Sequence, residues 1–102
     1  MIGSLLYMNK KERKLLDKYY SRYGISYADY EAKLKEQLNR CDLCGKHKSR
    51  FTRRMHLDHN HKTGKVRGIL CFFCNRRRVG QLNLEWAKRI YEYLLKWDGE
   101  NW

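Results

Sequence analysis

The stretch Asp58-His59-Asn60-His61 places a carboxylate and two imidazoles within four residues, and an amide, Asn75, follows directly on a cysteine. Such a set suits hydrolysis assisted by a divalent cation. The Asp58 carboxylate is a hard anionic ligand, and the Asn75 carbonyl oxygen would bind the same ion without adding negative charge. An imidazole titrates near neutrality and so takes a proton from attacking water, which makes His59 the candidate general base. His61 would share a strand face with His59 if the strand continued, and is expected to bind the scissile phosphate or a water at the metal. Phosphodiester hydrolysis is the reaction this chemistry fits, with Mg²⁺ or Mn²⁺ stabilising charge at the phosphate and the leaving oxygen.

Two Cys-x-x-Cys pairs flank this stretch, Cys41/Cys44 and Cys71/Cys74, with 26 residues between them. Four thiolates complete the tetrahedral set of a closed structural zinc site, and each short spacing lets one turn present two sulfurs to one metal. Two disulfides are the alternative pairing, but Met1 to Met8 lacks the basic segment and cleavage site of a secretory leader, so a zinc knuckle is expected in a cytoplasmic protein. His47 could replace one sulfur, or could be a solvated loop histidine.

The chain has 102 residues, a third of them charged, so its apolar core must be small and a single domain is expected. Chains of this size commonly need a metal or cross-link, which makes zinc part of the folding free energy. The 23 Lys and Arg outnumber the 11 Asp and Glu, a net charge of +12 that points to a polyanionic partner, with nucleic acid first. The longest apolar run, Ile69 to Cys74, is far too short to cross a bilayer, so no membrane is expected.

Three segments would position the chemistry. Residues 1–40 read as a helical segment: a first helix over 9–23, with Asn9 as N-cap and Leu15, Leu16, Tyr19, Tyr20 and Tyr23 at helical spacing, then a second from Ser26 to about Leu38. Ser26 and Asp29 form a capping-box pair, and Tyr27, Tyr30, Leu34 and Leu38 make the second helix's apolar stripe. Residues 41–80 form the zinc-stapled core. Lys46 to Arg54, with five basic residues in nine, reads as a loop facing nucleic acid. Strands follow at 55–58 and 65–70 around a turn at 61–64, then a short helix that stops near Gly80. Residues 81–102 supply a last helix capped by Asn83, in which Trp86, Ile90, Tyr93 or Leu94, and Trp97 share a face. That face either closes the core or meets a partner. The fold class is thus α+β, mainly helical, with a hairpin–helix core.

Guanidinium and ammonium groups near the chemistry would hold phosphates without reading sequence: Arg67 on the second strand, Arg76, Arg77 and Arg78 beside Asn75, Lys62 and Lys65 in the turn, and Arg53 and Arg54 in the loop. For Arg67 a pair with a carboxylate is the alternative.

The run Cys41-x-x-Cys44-Gly45, then Leu57-Asp58-His59-Asn60-His61-Lys62-Thr63-Gly64-Lys65-Val66-Arg67-Gly68-Ile69-Leu70-Cys71-x-x-Cys74-Asn75, closely resembles the phage recombination endonuclease VII family. That family belongs to the His-Me finger, or ββα-metal, nucleases related to HNH enzymes, and the resemblance covers about residues 23 to 95. It implies a ββα-metal fold, a structural zinc on the four cysteines, a phage origin and Mg²⁺-dependent DNA cleavage leaving 5′-phosphate and 3′-hydroxyl ends. By position, Asp58 and Asn75 resemble its catalytic-metal ligands, His59 its base and His61 a supporting histidine. The founding resolvase carries an acidic residue shortly after the motif Asn, where this chain has Arg76-Arg77-Arg78, so a one-metal site rests on Asp58 and Asn75. The chain is also short beyond Trp97 for that resolvase's dimerisation region. A nicking nuclease therefore fits as well as a junction resolvase, and a homodimer stays open. The competing readings are a zinc-dependent nucleic-acid-binding accessory protein without turnover, and a nuclease acting on RNA.

Overall fold

The computed structural model describes residues 9–80 and 82–99; the Met1 to Met8 stretch, inspected above for a leader, lies outside them. Helix α1 spans Lys10–Ser21, α2 Tyr27–Glu36 and α3 Leu84–Asp98, while strands β1, His56–His59, and β2, Val66–Leu70, form a two-stranded antiparallel sheet. A π-helical turn, Cys74–Val79, follows the second cysteine pair. The architecture is small α+β, with three α-helices, a π-helical turn, a 3₁₀ turn and one hairpin among the described residues.

Local chemistry sets the helix starts. Asn9 Oδ1 accepts from the Glu12 N–H at 2.8 Å, and Ser26 and Asp29 exchange side-chain and backbone bonds in a full capping box. Asp17 Oδ1 accepts the Tyr27 N–H at 2.8 Å, which ties α1 to the start of α2. The core that follows is aromatic: Tyr20 and Tyr30 stack at 4.7 Å, Tyr27 and Tyr30 at 5.8 Å. The Tyr30 hydroxyl, in one of the most buried side chains, donates to the Met55 carbonyl at 2.6 Å and fixes the helices to the segment that leads into β1. Burial pushes the Tyr20 phenol up to about 12, so these rings stay neutral.

Two parts of the expected stripes are not core. Leu15 and Tyr19 point outward from α1, and α2 ends at Glu36, leaving Leu38 72 % exposed. Leu38 and Asn39 instead take left-handed φ values of 59° and 57°, which turn the chain towards Cys41. Gln37 makes that turn useful: its side chain accepts the Ile69 N–H at 2.9 Å and donates to the Ile69 carbonyl at 2.9 Å, pairing the open edge of β2.

Helix α3 departs further from a core-closing role. Asn83 caps it as expected, accepting from the Trp86 N–H at 2.8 Å, but none of its residues is buried, and Trp86, Ile90, Leu94 and Trp97 are all exposed. The stripe therefore does not close the core among the described residues. Among the described residues no helix is long and apolar enough to cross a membrane.

Candidate metal and nuclease site

The four cysteines converge. Their sulfurs all lie within 4.8 Å of one another, Cys44 and Cys71 Sγ being 4.0 Å apart, and none forms a disulfide. A metal–sulfur bond of about 2.3 Å implies tetrahedral edges of about 3.8 Å, so a single zinc ion fits with little movement. Backbone N–H groups already aim at the sulfurs: Cys44 and Cys71 towards Cys41 Sγ at 3.5 and 3.3 Å, and Cys74 towards Cys71 Sγ at 3.4 Å. Burial opposes ionisation of Cys41, but N–H groups aimed at its sulfur outweigh it and lower the thiol to about 6, whereas burial pushes the Cys74 thiol up to about 12, so a bound cation would have to draw off that proton. Arg78 Nη1 donates to Cys74 Sγ at 3.1 Å, so the last arginine of the 76–78 run serves the sulfur cluster. His47 is not a fifth candidate. Its Nδ1 accepts the Ser49 N–H at 3.1 Å and caps a 3₁₀ turn, Lys48–Arg50, inside the segment expected to be loop.

The knuckles grip the hairpin. Asp42 N–H donates to the Ile69 carbonyl at 3.0 Å, and Gly68 lies so close beneath Asp42 that a Cβ there would come within 2.9 Å of the Asp42 Cβ. Only glycine fits this approach. At the other end Gly80 closes the π-helical turn, where a Cβ would sit 2.6 Å from the Arg76 carbonyl oxygen.

The hairpin is irregular at the residue that matters most. His56 pairs with Leu70 and Leu57 with Ile69, but His59 pairs with Val66, so β2 carries one extra residue opposite Asp58. This bulge breaks the expected alternation: Leu57 and Asp58 are buried in succession. It also aims Arg67 at Asp58, whose Oδ2 accepts from Arg67 Nε at 2.7 Å. Of the two readings of Arg67, the carboxylate pair is the contact the structure contains.

β1 runs to His59, one residue beyond the expected strand end, and the turn follows over residues 61–63 as expected, anchored by Asn60. Asn60 Oδ1 accepts the N–H groups of Lys62 and Thr63 at 2.8 and 3.0 Å, an Asx turn. That turn folds His61 back, so the His59 and His61 rings stack at 4.7 Å with 19° between planes, although no continuing strand carries them. Tyr23 packs on His59 at 5.2 Å. Neither imidazole hydrogen-bonds within the described residues, and neither does the Asn75 carboxamide, so these groups are open to water or phosphate.

His61 and Asn75 share a cleft of about 560 Å³ with His56, Phe72, Arg76 and Gly80. A neighbouring groove of about 460 Å³ includes His61, Lys62 and Arg67 among its walls. Asp58 and His59 line neither, so the cleft joins two of the four expected catalytic residues directly and a third through the imidazole stack. A separate hollow of about 620 Å³ beside α2, walled in part by Arg53 and Arg54, holds none of the four. Arg54 sits there over the Tyr27 ring at 5.4 Å. Lys62 and Lys65 are exposed in the turn.

His56 and Phe72 had no assigned role. The His56 Nε2 atom is buried without a hydrogen-bond partner within the described residues, and burial followed by the Arg53 charge lowers its pKa, so the ring is held neutral. Its place two residues before Asp58 on a strand is the signal that could have found it.

A four-cysteine cluster that could hold a metal ion thus staples a hairpin whose strand end carries Asp-His-x-His, with an Asn directly after the last cysteine. The sequence profile of the recombination endonuclease VII family matches residues 16–96, and the chain belongs to that family. It is 40 % identical over 75 residues to the Gene 59 protein of Mycobacterium phage L5 and 38 % identical over 76 residues to the Gene 59 protein of Mycobacterium phage D29. Each match covers 72 % of this chain but 45 % and 46 % of the relative, so the chain spans about half the length of the curated relatives it matches. No solved structure matches significantly.

Proposed function

We propose that this chain is a metal-dependent DNA endonuclease, phage-encoded and acting in the host cytoplasm, built on a ββα-metal core over residues 41–80. Supporting it most directly is the stacked His59–His61 pair, whose ring nitrogens are uncommitted and which reaches through His61 into a cleft shared with Asn75. Membership of the endonuclease VII family makes phosphodiester hydrolysis the reaction to expect.

Zinc would be held by Cys41, Cys44, Cys71 and Cys74, and would supply folding free energy alone. Asp58 and Asn75 offer the hard oxygen donors that suit Mg²⁺ or Mn²⁺; Asp58 retains Oδ1, since Arg67 occupies Oδ2. A divalent ion held there would neutralise charge on the phosphate and the leaving oxygen. His59 takes the proton from the attacking water as its oxygen bonds to phosphorus, and the P–O3′ bond breaks, O3′ taking a proton from a solvent water, which leaves 5′-phosphate and 3′-hydroxyl ends. Contacts from the stacked His61 ring and the tilted Tyr23 ring orient the His59 ring. His61 holds the phosphate, and Arg76, Arg77, Lys62, Lys65, Arg53 and Arg54 draw the backbone in by charge. Arg67 acts through Asp58 rather than on phosphate. The exposed stripe of α3 gives a second copy of the chain a face to pair on, and paired copies would make paired cuts.

One observation favours a second reading. Asp58 is buried and ion-paired, an arrangement that also suits a structural carboxylate in a zinc-dependent nucleic-acid-binding protein without turnover. Incubating the chain with equal amounts of labelled DNA and RNA in Mg²⁺ separates these readings. The nuclease reading expects scission of DNA; salt-sensitive binding with both polymers intact would support the accessory role, and preferential RNA scission would reassign the substrate.

A further inference from the structure

The two residues inside the second cysteine pair, Phe72 and Phe73, present 37 % and 48 % of their surface to solvent. An apolar ring at a metal knuckle gains nothing from water, but each of these carries guanidinium groups. Arg53 and Arg76 lie over Phe72, at 4.4 and 5.8 Å from the ring centroid, while Arg78 and Arg77 lie over Phe73 at 4.5 and 6.0 Å. The two sets are not equivalent, because Arg78 is also bonded to Cys74 Sγ.

Arg53 and Arg76 are differently placed. Neither belongs to the ion pairs among the described residues, Arg67–Asp58 and Arg89–Glu85, and neither hydrogen-bonds there. A guanidinium held by a ring face keeps its in-plane N–H donors free, so the ring fixes the charge without using the fork that grips a phosphate. Phe72 also lies where two hollows meet. It walls the cleft that holds His61 and Asn75, and it walls a second hollow of about 240 Å³ with Arg50, Phe51, Thr52 and Arg53.

We propose that Phe72 is a positioning residue that holds Arg53 and Arg76 as the two arms of one clamp on phosphates flanking the bond to be cut. A nucleic-acid strand then runs from the cleft across the second knuckle into the Arg50–Arg53 hollow. The placement of the cut rests on the nuclease reading; the clamp itself does not. Contacts of this kind position a backbone and read no base.

The test is binding of a labelled DNA duplex by the full zinc-loaded chain, without Mg²⁺, across a series of salt concentrations. The native chain is compared with Arg53→Gln, Phe72→Leu and the double variant, with zinc content and melting recorded for each. Arg53→Gln is expected to flatten the slope of log affinity against log salt by about 0.9, the value of one phosphate contact. Phe72→Leu, which removes no charge, is expected to flatten it at least as much, and the double variant little further than Phe72→Leu alone. A folded, zinc-replete Phe72→Leu with the native slope overturns the clamp. Should that variant lose zinc, Phe72→Trp carries the test, since a stronger cation-binding ring must keep or steepen the slope; a flattened slope in folded Phe72→Trp overturns the proposal. Cleavage is assayed separately in Mg²⁺. Coupled slopes in an inert chain would sink the nuclease reading and leave the clamp standing, whereas additive slopes in an active chain would do the reverse.

Discussion

Arg67 Nε donates to Asp58 Oδ2 at 2.7 Å across a bulge in the hairpin, with the carboxylate side chain 8 % exposed and the arginine 39 %. The pair links the residue expected to bind the catalytic cation to a fixed positive charge. Removing the arginine leaves a buried carboxylate unpaired, and since Arg67 is itself partly solvated the cost is discounted to about 1–2 kcal/mol. Arg67→Ala should therefore lower the melting temperature and depress cleavage through a misplaced Asp58. DNA affinity at moderate salt should change little. A variant of native stability with strongly weakened DNA binding would instead make Arg67 a phosphate contact.

Stripping zinc should unfold the chain. Structural zinc supplies about 10–16 kcal/mol to small domains, as much as or more than the about 5–15 kcal/mol by which a domain is stable. Chelation at neutral pH is expected to abolish the cooperative melting transition and expose all four thiols, Cys41, Cys44, Cys71 and Cys74, to a thiol reagent. Slow, partial thiol reaction with the transition intact would show that the cluster is not what holds the fold.

The tyrosine core makes a separate prediction. Tyr30→Phe keeps the stack but orphans the buried Met55 carbonyl, which should cost about 1–2 kcal/mol. At this chain length that is a fall of about 4–8 °C in melting temperature per kcal/mol. A melting temperature unchanged from the native chain would mean that the bond contributes nothing net.

His56 gives the fold a pH dependence. Burial, with the Arg53 charge second, depresses its folded pKa below the ordinary 6.5, so the unfolded chain binds more protons in the window between the two values. The contribution is fully present above 6.5 and is lost as pH falls through the depressed folded value. The melting temperature should thus drop on acidification below 6.5, and less steeply in His56→Phe. Parallel pH profiles for the two proteins would place the dependence elsewhere.

Much of this architecture is legible in residue types and spacing. The Cys-x-x-Cys pairs announce the sulfur cluster, and Asn9, Ser26, Asp29 and Asn83 announce the helix starts, because each depends on bonds within three residues. What depends on pairing across the chain is not legible. The bulge opposite Asp58 belongs to the register between two strands, and it is what brings Arg67 Nε onto the Asp58 carboxylate, the contact that spacing alone left open. The His59–His61 stack is reached through an Asx turn at Asn60 rather than along a strand face. Leu38 fits the α2 stripe by spacing alone, but Gln37 ends the helix by bonding to Ile69, far along the sequence. The bare stripe of α3 likewise reads the same whether it meets a core or another molecule.

The most direct test is conversion of supercoiled plasmid, with a synthetic four-way junction alongside, by the zinc-loaded chain in Mg²⁺, native against His59→Ala. Metal-dependent nicking or junction cutting by the native chain, abolished in His59→Ala while DNA binding and melting are unchanged, is the result predicted. Equal cleavage by both proteins would remove His59 as the base, and a native chain that binds DNA but never cuts it would contradict the nuclease assignment itself.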